Sequence, residues 1–163
     1  METTLIFVTQ FVLSTLVFAL IAGWVWRPQL AKKGFAEVMF LLTLPHAFRH
    51  LGLVFLVPEV VAPGMPPSFA LEAGLGDFAS GLLAIIVLFA TRYRWAVMVP
   101  LLWVFNLVGV ADLFNALGQA DVLPYFRSAW YIPTFVVPLL LVTHFMMIKR
   151  LVLAARHRVA DTV

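Results

Sequence analysis

Long apolar segments alternate with short polar connections along the whole chain. Five of these segments are long enough to cross the hydrocarbon of a bilayer, about 30 Å thick, as α-helices that rise 1.5 Å per residue. They cover residues 5–26, 35–57, 74–90, 96–117 and 129–148. The pattern therefore predicts an all-α fold, a polytopic transmembrane bundle of five helices that forms a single integral membrane domain over residues 1–163.

Composition supports this interpretation and limits the chemistry. Hydrophobic residues make up 63% of the chain and charged residues 12%, whereas soluble domains carry about 25% charged residues. The sequence contains no cysteine, which excludes disulfides, thiolate metal sites and cysteine nucleophiles. The chemistry of any site must therefore come from the few polar residues inside the spans.

Basic residues collect on one side of the predicted bundle. Nine of the eleven lie in the connections and the tail of that side: Arg27, Lys32, Lys33, Arg92, Arg94, Lys149, Arg150, Arg156 and Arg158. The positive-inside rule then places the N-terminus outside and the basic tail, residues 149–163, in the cytoplasm. Because the charges form short clusters at helix ends, the expected partner is the lipid bilayer of a plasma or inner membrane, and not nucleic acid.

The second span carries the sequence Pro45-His46-Ala47-Phe48-Arg49-His50 near its centre. An arginine at mid-membrane costs roughly 2.5–3.5 kcal/mol on insertion scales, so it requires a partner or a function. In an α-helix, His46, Arg49 and His50 lie within about 100° of arc and face one neighbour. Pro45 removes a helical hydrogen bond beside them and predicts a kink.

Other spans place polar residues at a similar depth. Heights counted at 1.5 Å per residue put Arg49, Asp77 and Asp112 about 6–10 Å above the midplane, on the outer side. Asn106 falls near the midplane, and Asn115 about 13 Å above it. The sequence therefore predicts one binding site in the outer half of the bilayer, formed by His46, Arg49, His50, Asp77, Asn106, Asp112 and Asn115.

Small residues indicate how the helices could approach one another. A small-xxx-small row runs along the third span: Gly76, Ser80 and Ala84. Such rows let helices pack closely, so Asp77, which lies beside the row, is expected to face protein. Gly52 and Gly109 are interpreted as ordinary glycines of membrane helices.

The charges of the predicted site do not balance. Arg49 offers one positive charge, whereas Asp77 and Asp112 offer two negative charges when both are ionised. A proton, a bound cation or a protonated histidine would restore neutrality in a medium of low dielectric constant. The favoured function is therefore binding of a small ligand, ion or proton linked to transport, with a homo-oligomer or a larger membrane complex expected because five spans are few for a transporter.

Two alternatives use the same residues differently. A membrane-embedded enzyme of isomerase or cyclase type would use His46, His50, Asp77 and Asp112 for acid–base chemistry on a lipophilic substrate. A structural membrane subunit would use the polar groups only to bond helices together.

A metal or haem site is the third alternative. His46 and His50 are the metal candidates because an i, i+4 pair shares one helix face. A haem would need His144 opposite one of them at the same depth, but His144 falls about 7 Å below the midplane and about 9 Å from His46 in height. The sequence predicts no particular cofactor and does not identify the ligand.

Overall fold

The computed structural model describes residues 2–160, apart from the side chains of Ala120 and of residues 157–160. Met1 and residues 161–163, the last part of the predicted tail, lie outside the described residues. The described chain is all-helical and contains no strand. Five of its helices are long and apolar enough to cross a membrane.

The five long helices are named α1 to α5. Their bounds are α1, Thr3–Leu30; α2, Phe35–Leu56; α3, Pro67–Arg92; α4, Met98–Leu117; and α5, which begins at Arg127 and continues to Ala160. The third helix is longer than the predicted span 74–90 and begins at Pro67, because a proline fits the first turn of a helix, where its missing N–H is not needed. The last helix likewise runs on through the described part of the predicted tail.

The second helix changes its type halfway. It is α-helical over Phe35–Thr43 and then a 3-10 helix over Leu44–Leu56, with Pro45 in the first turn of the tighter helix. Runs of 3-10 helix longer than three or four residues are uncommon, because the hydrogen-bond geometry is poorer than in an α-helix. The buried positions repeat every three residues, as a helix of three residues per turn requires: His46, Arg49, Gly52 and Phe55.

Two apolar clusters fill the two ends of the bundle. We call the end that carries Arg27, Arg92 and Lys149 the basic end, and the end with the proline-rich connection 57–66 the opposite end. The basic end is packed by Leu30, Met39, Leu42, Leu102, Phe105, Met147 and Leu151. The opposite end is packed by Phe55, Met65, Phe69, Val122, Leu123 and Phe126. The buried residues His46, Arg49, Asn106 and His144 lie between these clusters.

Helix α1 stands at the edge of the bundle. Most of its side chains are exposed, and Phe18, Ala22 and Leu30 are its buried ones. It leans on α5 through aromatic contacts, among them Phe18 with Phe135, whose ring centroids lie 5.2 Å apart. The polar interior is therefore built by α2, α3, α4 and α5, without a buried polar residue from α1.

Candidate functional site

One arginine connects three helices. The Nε of Arg49 donates to Oδ1 of Asp77 at 2.8 Å, its Nη2 donates to Oδ2 of Asp112, and its Nη1 donates to the carbonyl of Gly109 at 3.2 Å. The guanidinium thus uses its planar donor set on α3 and α4 at the same time. We call Arg49, Asp77 and Asp112 the charged centre. Both aspartates that the sequence predicted as neighbours of Arg49 are ion-paired with it.

Glycines provide the space for this centre. A Cβ at Gly81 would lie 2.9 Å from the backbone nitrogen of His50, and a Cβ at Gly109 would lie 2.6 Å from Nε2 of His144 and 3.1 Å from Nη1 of Arg49. At two further glycines a carboxylate side chain occupies the space that a Cβ would need: that of Asp77 at Gly52 and that of Asp112 at Gly76. These contacts are too close for any side chain. The interpretation of Gly52 and Gly109 as ordinary glycines of membrane helices was therefore wrong. They are sites of close packing.

A cavity opens beside the two carboxylates. Asp77 and Asp112 line it, and the rest of its wall is mostly apolar, with Phe7, Phe55, Phe69, Leu113, Leu123 and Phe126 among its residues. The cavity volume is about 40 Å³, which is room for a few water molecules. The carboxylate side chains are 14% and 18% exposed, whereas the Arg49 side chain is 1% exposed. The negative groups therefore face the cavity and the guanidinium lies behind them.

A pair of histidines lies next to the charged centre, towards the basic end. His46 and His144 are fully buried, and their ring centroids lie 4.2 Å apart. Nδ1 of His144 lies 2.9 Å from Oδ1 of Asn106, while the amide nitrogen of Asn106 donates to the Leu102 carbonyl at 2.7 Å. The Asn106 oxygen is therefore the acceptor and Nδ1 of His144 the donor.

The second histidine is arranged in the same way. Nε2 of His46 lies 2.9 Å from the hydroxyl of Thr143, whose own proton is directed at the carbonyls of Leu139 and Leu140. Nε2 of His46 is therefore the donor. Among the described residues, Nδ1 of His46 and Nε2 of His144 have no hydrogen-bond partner. We call these two residues the histidine pair, and it presents two buried lone pairs.

The predicted separation of His144 from His46 was wrong, since their rings are in contact. The heights had assumed 1.5 Å per residue in every span. A 3-10 helix rises about 2.0 Å per residue, so most of the extra length of α2 lies after His46, and His46 lies nearer the basic end relative to the middle of the span than in an α-helix. Helix α5 also extends beyond the predicted span 129–148 at both ends, so the middle of that helix was misplaced.

His50 lies outside the centre, contrary to the prediction. Its side chain is exposed and its Nδ1 lies 2.9 Å from the carbonyl of Ala47. With three residues per turn, Arg49 stacks over His46, and His50 is turned a third of a turn away. His46 and His50 therefore do not share a helix face. The predicted metal site needed both imidazoles on one face, and this arrangement does not provide it.

The two asparagines also differ from the prediction. Asn106 is buried, but it bonds to His144 and not to the charged centre. Asn115 is exposed. Nine residues are two and a half turns of an α-helix, so these two side chains lie on opposite faces of α4.

The arrangement bears on the enzyme and haem alternatives. Asp77 and Asp112 both bond Arg49, so the described hydrogen bonds contain no histidine–aspartate pair of the kind that acid–base catalysis uses. The rings of His46 and His144 touch, which leaves no space between them for a haem. Among the described side chains, no three His, Cys, Asp or Glu residues converge as metal ligands.

Comparison with known proteins adds a family. A family model described as Domain of unknown function (DUF8737) matches residues 6–152, a range that includes all of the charged centre and the histidine pair. No curated protein and no solved structure matches the chain.

Proposed function

Because the chain belongs to the DUF8737 family, whose description assigns no activity, we propose a function from the residues and their geometry. The protein is an integral membrane protein of a plasma or inner membrane that binds a small cation or a proton beside Asp77 and Asp112. Binding at this place is linked to transport. The observation that carries the proposal is an unbalanced negative charge at the floor of an apolar cavity.

Membrane insertion is supported by the surface of the bundle. Large apolar side chains are exposed on every long helix, for example Leu13, Phe48, Phe89, Leu107 and Phe145. Monomeric soluble proteins rarely expose apolar patches larger than a few hundred Å², whereas lipid covers such a surface favourably. The basic residues favour an orientation with the basic end in the cytoplasm and the opposite end, with the cavity, towards the outside.

The charge of the centre favours a cation. Two carboxylates share one guanidinium, so the centre carries one excess negative charge when both are ionised. Burying an uncompensated charge in a medium of low dielectric constant is expensive, and a proton or a small cation beside the carboxylates removes that charge. Because the carboxylates and not the guanidinium face the cavity, the ligand approaches the negative side of the ion pairs.

The size of the cavity limits the ligand. A volume of about 40 Å³ fits a hydrated proton or an ammonium group with few attached carbons. A larger amphipathic molecule would need the phenylalanine side chains of the wall to move. The range of ligands proposed here is therefore narrower than the small ligand, ion or proton that the sequence alone suggests.

Transport requires a second state, and the second helix supplies a candidate. Towards the basic end, the cluster around Met39, Leu42, Phe105 and Met147 closes the interior. The 3-10 segment Leu44–Leu56 has 13 residues, and its conversion to an α-helix would shorten it by roughly 6 Å and rotate Arg49 against α3. Such a conversion would also displace His46, whose ring is in contact with His144 between the charged centre and this cluster.

Flux through proteoliposomes tests the proposal. The purified protein is reconstituted, and two probes are followed under an imposed gradient: protons, with an enclosed pH-sensitive dye, and radiolabelled methylammonium. We expect at least one probe to enter faster than into protein-free liposomes, and Asp112→Asn to reduce that entry to the protein-free leak. Asparagine keeps an oxygen for Arg49 but leaves a neutral Arg49–Asp77 pair, so the variant is expected to fold.

A control separates the centre from the rest of α4. Asn115→Leu changes an exposed side chain one turn away and should leave the flux unchanged. The proposal fails if wild-type liposomes are no more permeable to either probe than protein-free ones. It also fails if Asp112→Asn and the wild type carry the probe equally.

A structural role is the second candidate, because a single guanidinium holds α2, α3 and α4 together. Under this alternative the charged centre is a joint between helices and nothing passes it. The flux experiment also distinguishes the structural role from transport. If the centre is only a joint, liposomes with the wild type and with Asp112→Asn should both be no more permeable to the probes than protein-free liposomes.

A further inference from the structure

A groove at the basic end differs from the cavity in its volume and in the sign of the charged residues that line it. It runs between the end of α1, the start of α2 and residues 146–154 of α5, and its volume is about 530 Å³. Its apolar floor includes Gly23, Phe35 and Met146, and its rim carries Arg27, Lys149 and Arg150. Volumes of this size are typical of sites for small molecules.

The rim is positively charged and uncompensated. Among the described side chains, Arg27, Lys149 and Arg150 have no carboxylate within ion-pair distance, whereas Lys33 nearby in the sequence is paired with Glu37. Three cations beside an apolar floor attract a molecule with an anionic head and a hydrocarbon body. Basic pockets between spanning helices on the cytoplasmic side bind phospholipid head groups for this reason.

We propose that this groove binds one anionic phospholipid, with the phosphodiester on the basic rim and an acyl chain along the apolar floor. The inference uses the membrane insertion and orientation proposed above, but not the cation site. The height of the groove fits this occupant, because Arg27, Lys149 and Arg150 lie where the hydrophobic parts of α1 and α5 give way to polar chain, which is the level of the head groups.

Gly23 offers a way to fill the groove without disturbing the bundle. It lies in a π-helical turn, Ala22–Trp26, and a Cβ placed on it would meet no atom within 4 Å. A leucine at this position therefore has space on the protein side and projects into the groove that it borders. The variant Gly23→Leu removes no charge. A loss of lipid in this variant would therefore result from filling of the groove, and not from a weaker attraction of lipid to a basic surface.

The test is native mass spectrometry of the purified full chain in detergent, with palmitoyl-oleoyl phosphatidylglycerol or the matching phosphatidylcholine added. We expect one phosphatidylglycerol to be retained in preference to phosphatidylcholine. Gly23→Leu should lose it. The double variant Lys149→Ala/Arg150→Ala should weaken retention by about fivefold for each basic residue removed.

A matched double variant controls for charge. Arg92→Ala/Arg94→Ala removes two cations from the same end but from outside the groove, and it should retain the lipid as the wild type does. The inference is overturned by equal retention of the two lipids, by full retention in Gly23→Leu, or by equal loss in both double variants. Glycerol 3-phosphate that binds as tightly as the lipid would also overturn it, because the site would then hold a free phosphate ester.

The outcome is independent of the flux experiment. Gly23 and the basic rim do not line the cavity beside Asp77 and Asp112. A protein that carries the probe but retains no phosphatidylglycerol contradicts only the lipid site. A protein that retains the lipid but carries no probe contradicts only the cation site.

Discussion

The charged centre, on α2, α3 and α4, and the histidine pair, on α2 and α5, lie side by side, yet their buried polar groups are satisfied in opposite ways. In the charged centre each nitrogen of Arg49 donates a hydrogen bond, and the remaining polar surface of the carboxylates faces a cavity. In the histidine pair each ring uses one nitrogen and leaves the other without a partner among the described residues.

The difference follows from charge. A guanidinium cannot lose its proton inside a protein, so its burial requires carboxylates, and these determine where α3 and α4 stand. An imidazole can remain neutral, so it can be buried with one nitrogen unsatisfied at a cost of about 1–3 kcal/mol. The centre is therefore the part of the interior in which every guanidinium nitrogen is bonded, and the histidine pair is the part in which each ring keeps an unused acceptor among the described residues.

Arg49→Ala is the largest test of this contrast. It removes the positive charge and leaves two carboxylates facing each other in the interior, which is expected to destabilise the protein by about 3–5 kcal/mol. Thermal unfolding in detergent should show the loss. The difference from the wild type should become smaller at low pH, because protonated carboxyl groups carry no stranded charge.

A surface arginine supplies the control for this variant. Arg94 is exposed at the basic end, and Arg94→Ala should change stability by no more than about 0.5 kcal/mol. If Arg49→Ala and the wild type unfold at the same temperature at every pH, the ion pairs do not hold the helices together and the contrast between the charged centre and the histidine pair is lost.

Gly81→Ala tests the close packing that the centre requires. Its Cβ would approach the backbone nitrogen of His50 to 2.9 Å, and backbone cannot move aside as a side chain can. Overpacking of this kind is expected to cost about 1–3 kcal/mol, measured as a lower midpoint of thermal unfolding. Gly23→Ala is the matched variant with open space around its Cβ, and it should be neutral or slightly stabilising. Equal effects at both positions would mean that α2 and α3 are not in contact at Gly81.

The helices were accessible from the sequence because hydrophobicity alone defines them. The predicted spans coincide with the five long helices, and the main differences lie at the ends of α3 and α5. Those ends were missed for a physical reason. Residues 58–73 contain four prolines, which suggested a loop, but Pro67 occupies the first turn of α3, where proline is compatible with a helix.

The charged centre was also accessible, since an arginine in a span needs a carboxylate and the sequence offers two at the right depth. The glycines around it were not, because their importance depends on which atoms lie opposite. The histidine pair was missed for another reason. Its prediction required the ends of α5 and the rise of α2, and only the backbone reveals that α5 extends beyond residues 129–148 and that the helix after Thr43 has three residues per turn.

His50→Leu tests the 3-10 geometry of α2 and is the variant with the smallest expected effect. If α2 were α-helical here, His50 would face α3 beside Arg49, and its replacement would disturb the centre and any flux that depends on it. In the 3-10 helix the side chain is exposed, so the change should alter stability by no more than about 0.5 kcal/mol and leave probe entry into proteoliposomes at the wild-type level. Arg49→Ala, prepared in the same way, shows what the loss of a residue of the centre looks like. A His50→Leu protein that loses flux while it remains folded would place His50 in the site and would contradict the 3-10 geometry of α2.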